Sequence, residues 1–178
     1  MKRHADKLMA VVFIATTTFI LKSIAGNMEV TGNVVSVKDG DTIHVLDAAN
    51  NQIKVRLSGI DAPERGQRYS NVSREHLARM VAGKEVRVET TKTDSYGRAV
   101  GKVWVQPRDC PTCGKTLEVN LAQITAGMAW WYRYYTNEQN IEDRGRYESA
   151  EEEARARKRG LWADPNPMNP YEWRKANR

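Results

Sequence analysis

Gln52-Ile53-Lys54-Val55-Arg56-Leu57-Ser58 runs without a break into Gly59-Ile60-Asp61-Ala62-Pro63-Glu64. The first half alternates: Ile53, Val55 and Leu57 face one way, Lys54 and Arg56 the other, which is the period of a half-buried strand. Ser58-Gly59 then releases the chain, and Pro63 stiffens the turn and keeps the strand from continuing. One strand end thus carries a guanidinium, Arg56, and two carboxylates, Asp61 and Glu64.

Reading outward, the same period recurs. Val30 to Val37 is rich in β-branched residues, Asp41 to Leu46 sets Ile43 and Val45 on one face, and Asn50-Asn51 is a hairpin signal. Lys84 to Thr91 repeats the alternation with Val86 and Val88, and Ala99 to Val105 supplies a fifth strand. Five short strands with little βαβ patterning indicate a small antiparallel barrel. Helical spacing appears at Ser70 to Ala82 (Val72, Leu77, Met80, Val81), with Gly83 as its stop. A second helix is expected over Val119 to Met128, with Leu121, Ala122, Ile124 and Thr125 on one face and Gly127 ending it. A third, from about Glu138 to Arg159, has a thin apolar stripe of Tyr147, Ala150 and Ala154. Its acidic residues precede its basic ones, as the helix dipole favours, so the basic run reads as a solvated helix end. Gly160 closes it and Leu161-Trp162 tucks back on the core. The class is α+β, with about three helices on the barrel, and neither repeats nor a second domain are visible.

The termini are read separately. Lys2, Arg3 and Lys7 precede an apolar stretch from Leu8 to Leu21, and Ser23-Ile24-Ala25 offers a cleavage site, so residues 1–25 are expected to be a signal peptide. The apolar run is short for a membrane span, which makes an uncleaved anchor the lesser alternative. Export, to the periplasm or beyond, without stable membrane association after cleavage, is the expectation. Lys2, Arg3, Lys7, Lys22 and Asp6 leave with the signal, so 24 basic residues face 21 acidic ones and the net charge falls from +6 to +3. That balance selects no partner class. The remaining chain divides into a domain at 26–164 and a Pro-rich tail at 165–178. Cys110 and Cys113 sit in a Pro- and Gly-punctuated loop, where a small disulfide staple suits an exported protein. A zinc site would lack its second ligand pair, and a thioredoxin-like motif would need to open a helix after a strand.

Three segments carry the chemistry: Asp39-Gly40-Asp41-Thr42, the Arg56 to Glu64 stretch, and Asp94-Ser95-Tyr96-Gly97-Arg98. Alone, the first is an ordinary turn. Beside the second, it makes two acidic clusters at the ends of neighbouring strands, which can converge on one oxygen-rich pocket suited to a hard cation. His44 and His76 show no paired ligand spacing, which disfavours transition metals and histidine catalysis. Arg56 and Arg98 each read alone as surface residues. Flanking a carboxylate cluster, they form planar forks able to bridge the oxygens of a phosphodiester.

Asp41-Thr42, Arg56 to Glu64 and Tyr96-Gly97-Arg98 resemble, in order and spacing, the signature of the staphylococcal (micrococcal) nuclease family, with similarity from about Val30 to Trp162. The resemblance implies a five-stranded OB-fold barrel with three helices. It also implies a calcium-dependent endonuclease that hydrolyses DNA and RNA with little sequence specificity, the 5′ oxygen leaving to give 3′-phosphate ends. Asp41 and Asp61 would be calcium ligands, with the backbone carbonyl of Ala62 where the family archetype has Thr. Glu64 would position or deprotonate the attacking water, and Arg56 and Arg98 would grip the phosphate. Asp39 would orient the loop. Tyr96 corresponds to a nucleotide-pocket tyrosine, and Tyr135 is the choice among Trp130, Trp131, Tyr132, Tyr134 and Tyr135 for another. Flexible single strands would be preferred, by a monomer. The loop after Glu64 is shorter than the archetype's, and the cysteine loop is extra. Family domains can also lose their active residues, so a non-catalytic nucleic-acid-binding barrel is the alternative, and a redox module around the cysteines a further one.

Overall fold

The computed structural model describes residues 28–177, and the leader expected at 1–25 lies outside them. Strands β1 (Met28–Val37), β2 (Thr42–Asp47) and β3 (Gln52–Leu57) pair antiparallel in succession. At the β2–β3 hairpin, Asp47 accepts from the backbone N–H groups of Ala49 and Asn51, and Asn50 takes a φ of 62°. Asn tolerates that left-handed conformation, so the Asn-Asn signal becomes a turn. The two-residue β4 (Ile60–Asp61) follows, then α1 (Ser70–Val81), β5 (Glu85–Thr93) and β6 (Ala99–Val105).

Closure makes the barrel. β1 pairs with β5 and β5 with β6, all antiparallel, and β6 then meets β3 in parallel through Val55–Ala99, Arg56–Val100 and Leu57–Gly101. The closed order β3-β2-β1-β5-β6 is the OB architecture within an α+β chain. A Cβ on Gly101 would lie 2.4 Å from the Glu89 carbonyl oxygen of β5, so glycine is what lets β5 and β6 approach this closely. Inside, Ile43, Val45, Val55, Val86, Val88, Val103 and Val105 are fully buried. The alternation in sequence has become an inward face.

The remaining elements cover the barrel: β7 (Leu117–Glu118), α2 (Val119–Thr125), β8 (Trp130–Trp131), α3 (Ile141–Ala156) and α4 (Pro170–Ala176), with 3₁₀ segments at Arg133–Glu138 and Gly160–Ala163. The third helix is shorter than its sequence suggested. It begins after Asn140, whose side chain accepts from the Asp143 N–H as an N-cap. The buried face of α2 also differs from expectation: it holds Val119, Asn120, Gln123 and Ile124, while Thr125 is exposed. The physical reason is backbone satisfaction. Asn120 accepts from the Val103 N–H and donates to the carbonyls of Ser58 and Gly101, and Gln123 donates to the carbonyl of Gly40. Polar groups paired this way can be buried without cost to the fold. Both therefore fasten loops that lead to the acidic clusters.

Among the described residues, no helix is long and apolar enough to cross a membrane. Cys110 and Cys113 form a disulfide in the β6–β7 loop. Changing both to Ser is expected to leave nucleic-acid cleavage intact in a gel assay, whereas a redox module would lose its activity.

Candidate active site

The first acidic cluster is placed by hairpin register. Thr42 pairs with Arg56, and the Leu57 N–H donates to the Asp41 carbonyl at 2.8 Å, so Asp41 lies beside the end of β3. The second is placed by β4, where Asp61 pairs with Trp130 of β8. The two meet directly: the Ala62 N–H donates to Asp41 Oδ2 at 2.8 Å. Arg56 spans the pair, with Nη1 2.9 Å from Asp41 Oδ2 and Nη2 3.2 Å from Asp61 Oδ1. Gly40 is required by close approach, since a Cβ there would lie 1.8 Å from Ser73 Oγ on α1. That hydroxyl donates to the Met128 carbonyl and leaves no room to retreat.

Asp39 accepts from the Asp41 N–H at 3.0 Å and lies behind the pair. Burial, then the Asp41 charge, push its carboxyl up to about 7. Burial also raises Asp61, against the hydrogen bond from Arg174 and the charge of Arg56, which lower it. Carboxylates crowded and partly desolvated in this way repel one another, and the Arg56 guanidinium between Asp41 and Asp61 offsets part of that cost. Asp41 and Asp61, with backbone carbonyls beside them and no histidine or thiol, offer the kind of oxygen donors a hard cation takes. Among the described residues no group of three acidic, His or Cys side chains is placed to hold a metal ion, so a cation on Asp41 and Asp61 would need carbonyls, water and substrate for most of its shell.

Glu64 follows Pro63 on the loop, and its carboxylate meets Arg174 of α4 at 2.6 Å. The same guanidinium reaches Asp61 Oδ2 through Nη2 at 3.1 Å. Burial disfavours the Arg174 charge, but the hydrogen bonds it donates to Asp61 and Glu64 outweigh it and hold the group above its ordinary value. Nothing in the sequence reading pointed to Arg174. The stretch after Asp164 was expected only as a Pro-rich tail, yet Asn169-Pro170 is an N-cap followed by a first-turn proline, the local signature that could have disclosed a helix.

Arg98 stands apart from the carboxylate pair. Its Nε donates to Asp94 Oδ2 at 2.7 Å, and the guanidinium lies 5.3 Å from the Tyr96 ring centroid. Asp94 also accepts from the Tyr96 and Arg98 backbone N–H groups, so it organises the β5–β6 turn that carries Arg98. Burial alone would raise Asp94, but these hydrogen bonds bring it below the usual carboxylate range. Arg56, Arg98, Asp41, Asp61, Ala62 and Glu64 all line one cleft of about 810 Å³. Tyr96 and Tyr135 line it too. Tyr96 is largely exposed at the turn, and Tyr135 meets Tyr132 edge-on at 5.1 Å with Lys92 Nζ 4.9 Å from its ring.

An OB barrel with a carboxylate-and-arginine cleft of this kind is a nuclease architecture. The chain belongs to the staphylococcal nuclease family: the family profile described as "Staphylococcal nuclease homologue" matches residues 54–164, more than half of it. It is 40% identical over 174 residues to a micrococcal nuclease of Shigella flexneri, covering 96% of this chain and 95% of that protein. It is also 40% identical over 147 residues to protein ParB of Escherichia coli, covering 83% and 80% of the two chains. To an uncharacterized endonuclease of Haemophilus influenzae it is 36% identical over 157 residues, covering 88% and 80%.

Proposed function

We propose that this nuclease is an exported, monomeric, calcium-dependent endonuclease that hydrolyses DNA and RNA with little sequence specificity and leaves 3′-phosphate ends. The observation that carries the reading is the convergence of Asp41, Arg56 and Asp61 at one barrel mouth, with Glu64 at its rim. Asp41, Asp61 and the Ala62 carbonyl would hold the cation, whose charge, when bound, offsets the negative charge that builds on the phosphoryl group. Glu64 would orient a water and take its proton as the oxygen attacks phosphorus in line with the departing 5′ oxygen. Arg56 and Arg98 would bridge the phosphoryl oxygens and stabilise the charge gathering there. Asp39 and Asp94 would act one step back, fixing the Asp41 loop and the Arg98 turn respectively.

Contacts to phosphate position a substrate without reading its bases, so low specificity follows from this set. Tyr96 and Tyr135 would stack on bases, which favours strands flexible enough to splay them out. The chain from residue 26 to residue 164 would suffice for the barrel and these groups, with residues 1–25 as the export signal.

The test is direct. Purified mature chain is incubated with supercoiled plasmid and with denatured DNA, in calcium or in a calcium chelator. Cleavage in calcium and none in chelator is expected, with products that a polymerase extends only after phosphatase treatment. Binding without cleavage would instead identify a non-catalytic barrel.

A further inference from the structure

The catalytic carboxylate proposed above has little to hold it. Glu64 lies on a loop after Pro63, its side chain is 39% exposed, and among the described residues Arg174 is the one side chain bonded to its carboxylate. Arg174 comes from α4, beyond the family match that ends at residue 164. Its docking is built from several independent contacts. Buried Gln67 accepts from the Glu64 N–H at 2.9 Å and donates to the Met168 carbonyl at 2.6 Å, tying the Glu64 loop to the segment before α4. Arg68 pairs with Asp164 at 2.7 Å, Asn169 caps α4 through the Glu172 N–H, and Pro170 is buried at its first turn. A side chain projecting from a segment fixed at that many points has a defined reach.

We propose that Arg174 is a positioning residue that holds the Glu64 carboxylate against Asp61, so that the C-terminal helix completes the active site of the nuclease. Its guanidinium fork makes this possible. Nη1 donates to Glu64 Oε1 at 2.6 Å and to Asp61 Oδ1 at 3.3 Å, while Nη2 donates to Asp61 Oδ2 at 3.1 Å. One planar group thus sets the distance and angle between the proton acceptor and a cation-site acid. Lysine could reach one of them as a point charge but could not fix both. The inference rests on the nuclease reading and adds a segment that reading did not need.

The experiment is a kinetic cycle on the full mature chain with single-stranded DNA in calcium, using Arg174→Ala, Glu64→Gln and the double variant. Terbium luminescence reports cation binding and circular dichroism reports the fold. Arg174→Ala is expected to lower kcat about tenfold to a hundredfold, the usual cost of losing an outer orienting partner. KM should stay unchanged, terbium affinity should rise because Asp61 loses a competing guanidinium, and Arg174→Lys should recover only part of the loss of turnover. In the Glu64→Gln background the same change should have little further effect, because the group being positioned is gone. A full-sized effect in that background, or a rise in KM at constant kcat, would mean that Arg174 acts on the substrate and overturns the proposal. So would unchanged or increased turnover, the latter showing α4 to be an inhibitory strap. If Ala loosens the fold, Arg174→Gln is carried through the same cycle with the same criteria. Absence of cleavage by the unmutated chain in this assay would count against the nuclease reading itself, a separate result.

Discussion

Replacing Arg56 by Ala is expected to cost the fold about 3 kcal/mol, because it leaves two buried carboxylates without their shared partner. The side chains of Arg56, Asp41 and Asp61 are 14%, 9% and 5% exposed, so water cannot replace the lost guanidinium cheaply. In a domain of this size that loss corresponds to a fall of roughly 6–12 °C in melting temperature. Turnover should fall about a hundredfold or more, the usual effect of deleting a preorganised donor to developing charge. Arg56→Lys keeps the charge but cannot span Asp41 Oδ2 and Asp61 Oδ1, so it should recover stability in part and turnover little. Calcium sharpens the test. An ion that binds only the folded state raises its stability by RT ln(1 + L/Kd), with L the free ion concentration, an increment that grows as affinity grows. With the guanidinium gone, the Asp41–Asp61 pair should hold the ion more tightly, so calcium should raise the melting temperature of Arg56→Ala by more than that of the parent. Thermal melts with and without calcium, together with kcat, check both parts. An equal or smaller calcium increment would remove Asp41 and Asp61 from the cation site.

How far this arrangement could be read from the chain depends on which contacts are local. Alternation of Ile53, Val55 and Leu57 is a local property and predicts β3 correctly, as the runs around Val45, Val88 and Val103 predict their strands. Barrel closure is less visible, since the parallel β3–β6 pair joins residues far apart in sequence and no local period signals it. The convergence of Asp41 on Asp61 follows from hairpin register plus the two-residue β4–β8 pairing, and no propensity signals strands that short. Asn120 and Gln123 break the apolar-face rule for α2 because their amides serve loop carbonyls, a demand set by tertiary structure. Arg174 was hidden for a related reason. Its partners Asp61 and Glu64 lie more than a hundred positions earlier, and a solitary arginine in a polar tail carries no period. The charged groups were therefore legible as an inventory, and their pairing only in part.

Glu64→Gln is the change expected to reduce turnover most while disturbing the structure least. General-base assistance is typically worth about a hundredfold to ten-thousandfold, and a carboxamide cannot accept the proton from water. The amide is nearly the shape of the carboxylate, and its oxygen can still accept from Arg174 Nη1, now as a neutral and weaker hydrogen bond. Gln67 binds the backbone N–H of Glu64, a contact the substitution does not touch, so the loop should hold its course. Stability should then change by less than Arg56→Ala costs, and terbium or calcium affinity should remain that of the parent, because the cation is assigned to Asp41, Asp61 and the Ala62 carbonyl. The measurements are kcat under single-turnover conditions and a direct cation titration of the purified variant. Retained turnover would show that another group takes the proton. Loss of cation binding would move Glu64 among the ligands themselves, and Arg174, which contacts both Glu64 and Asp61, would then have to be reread as the counter-charge of the cation site.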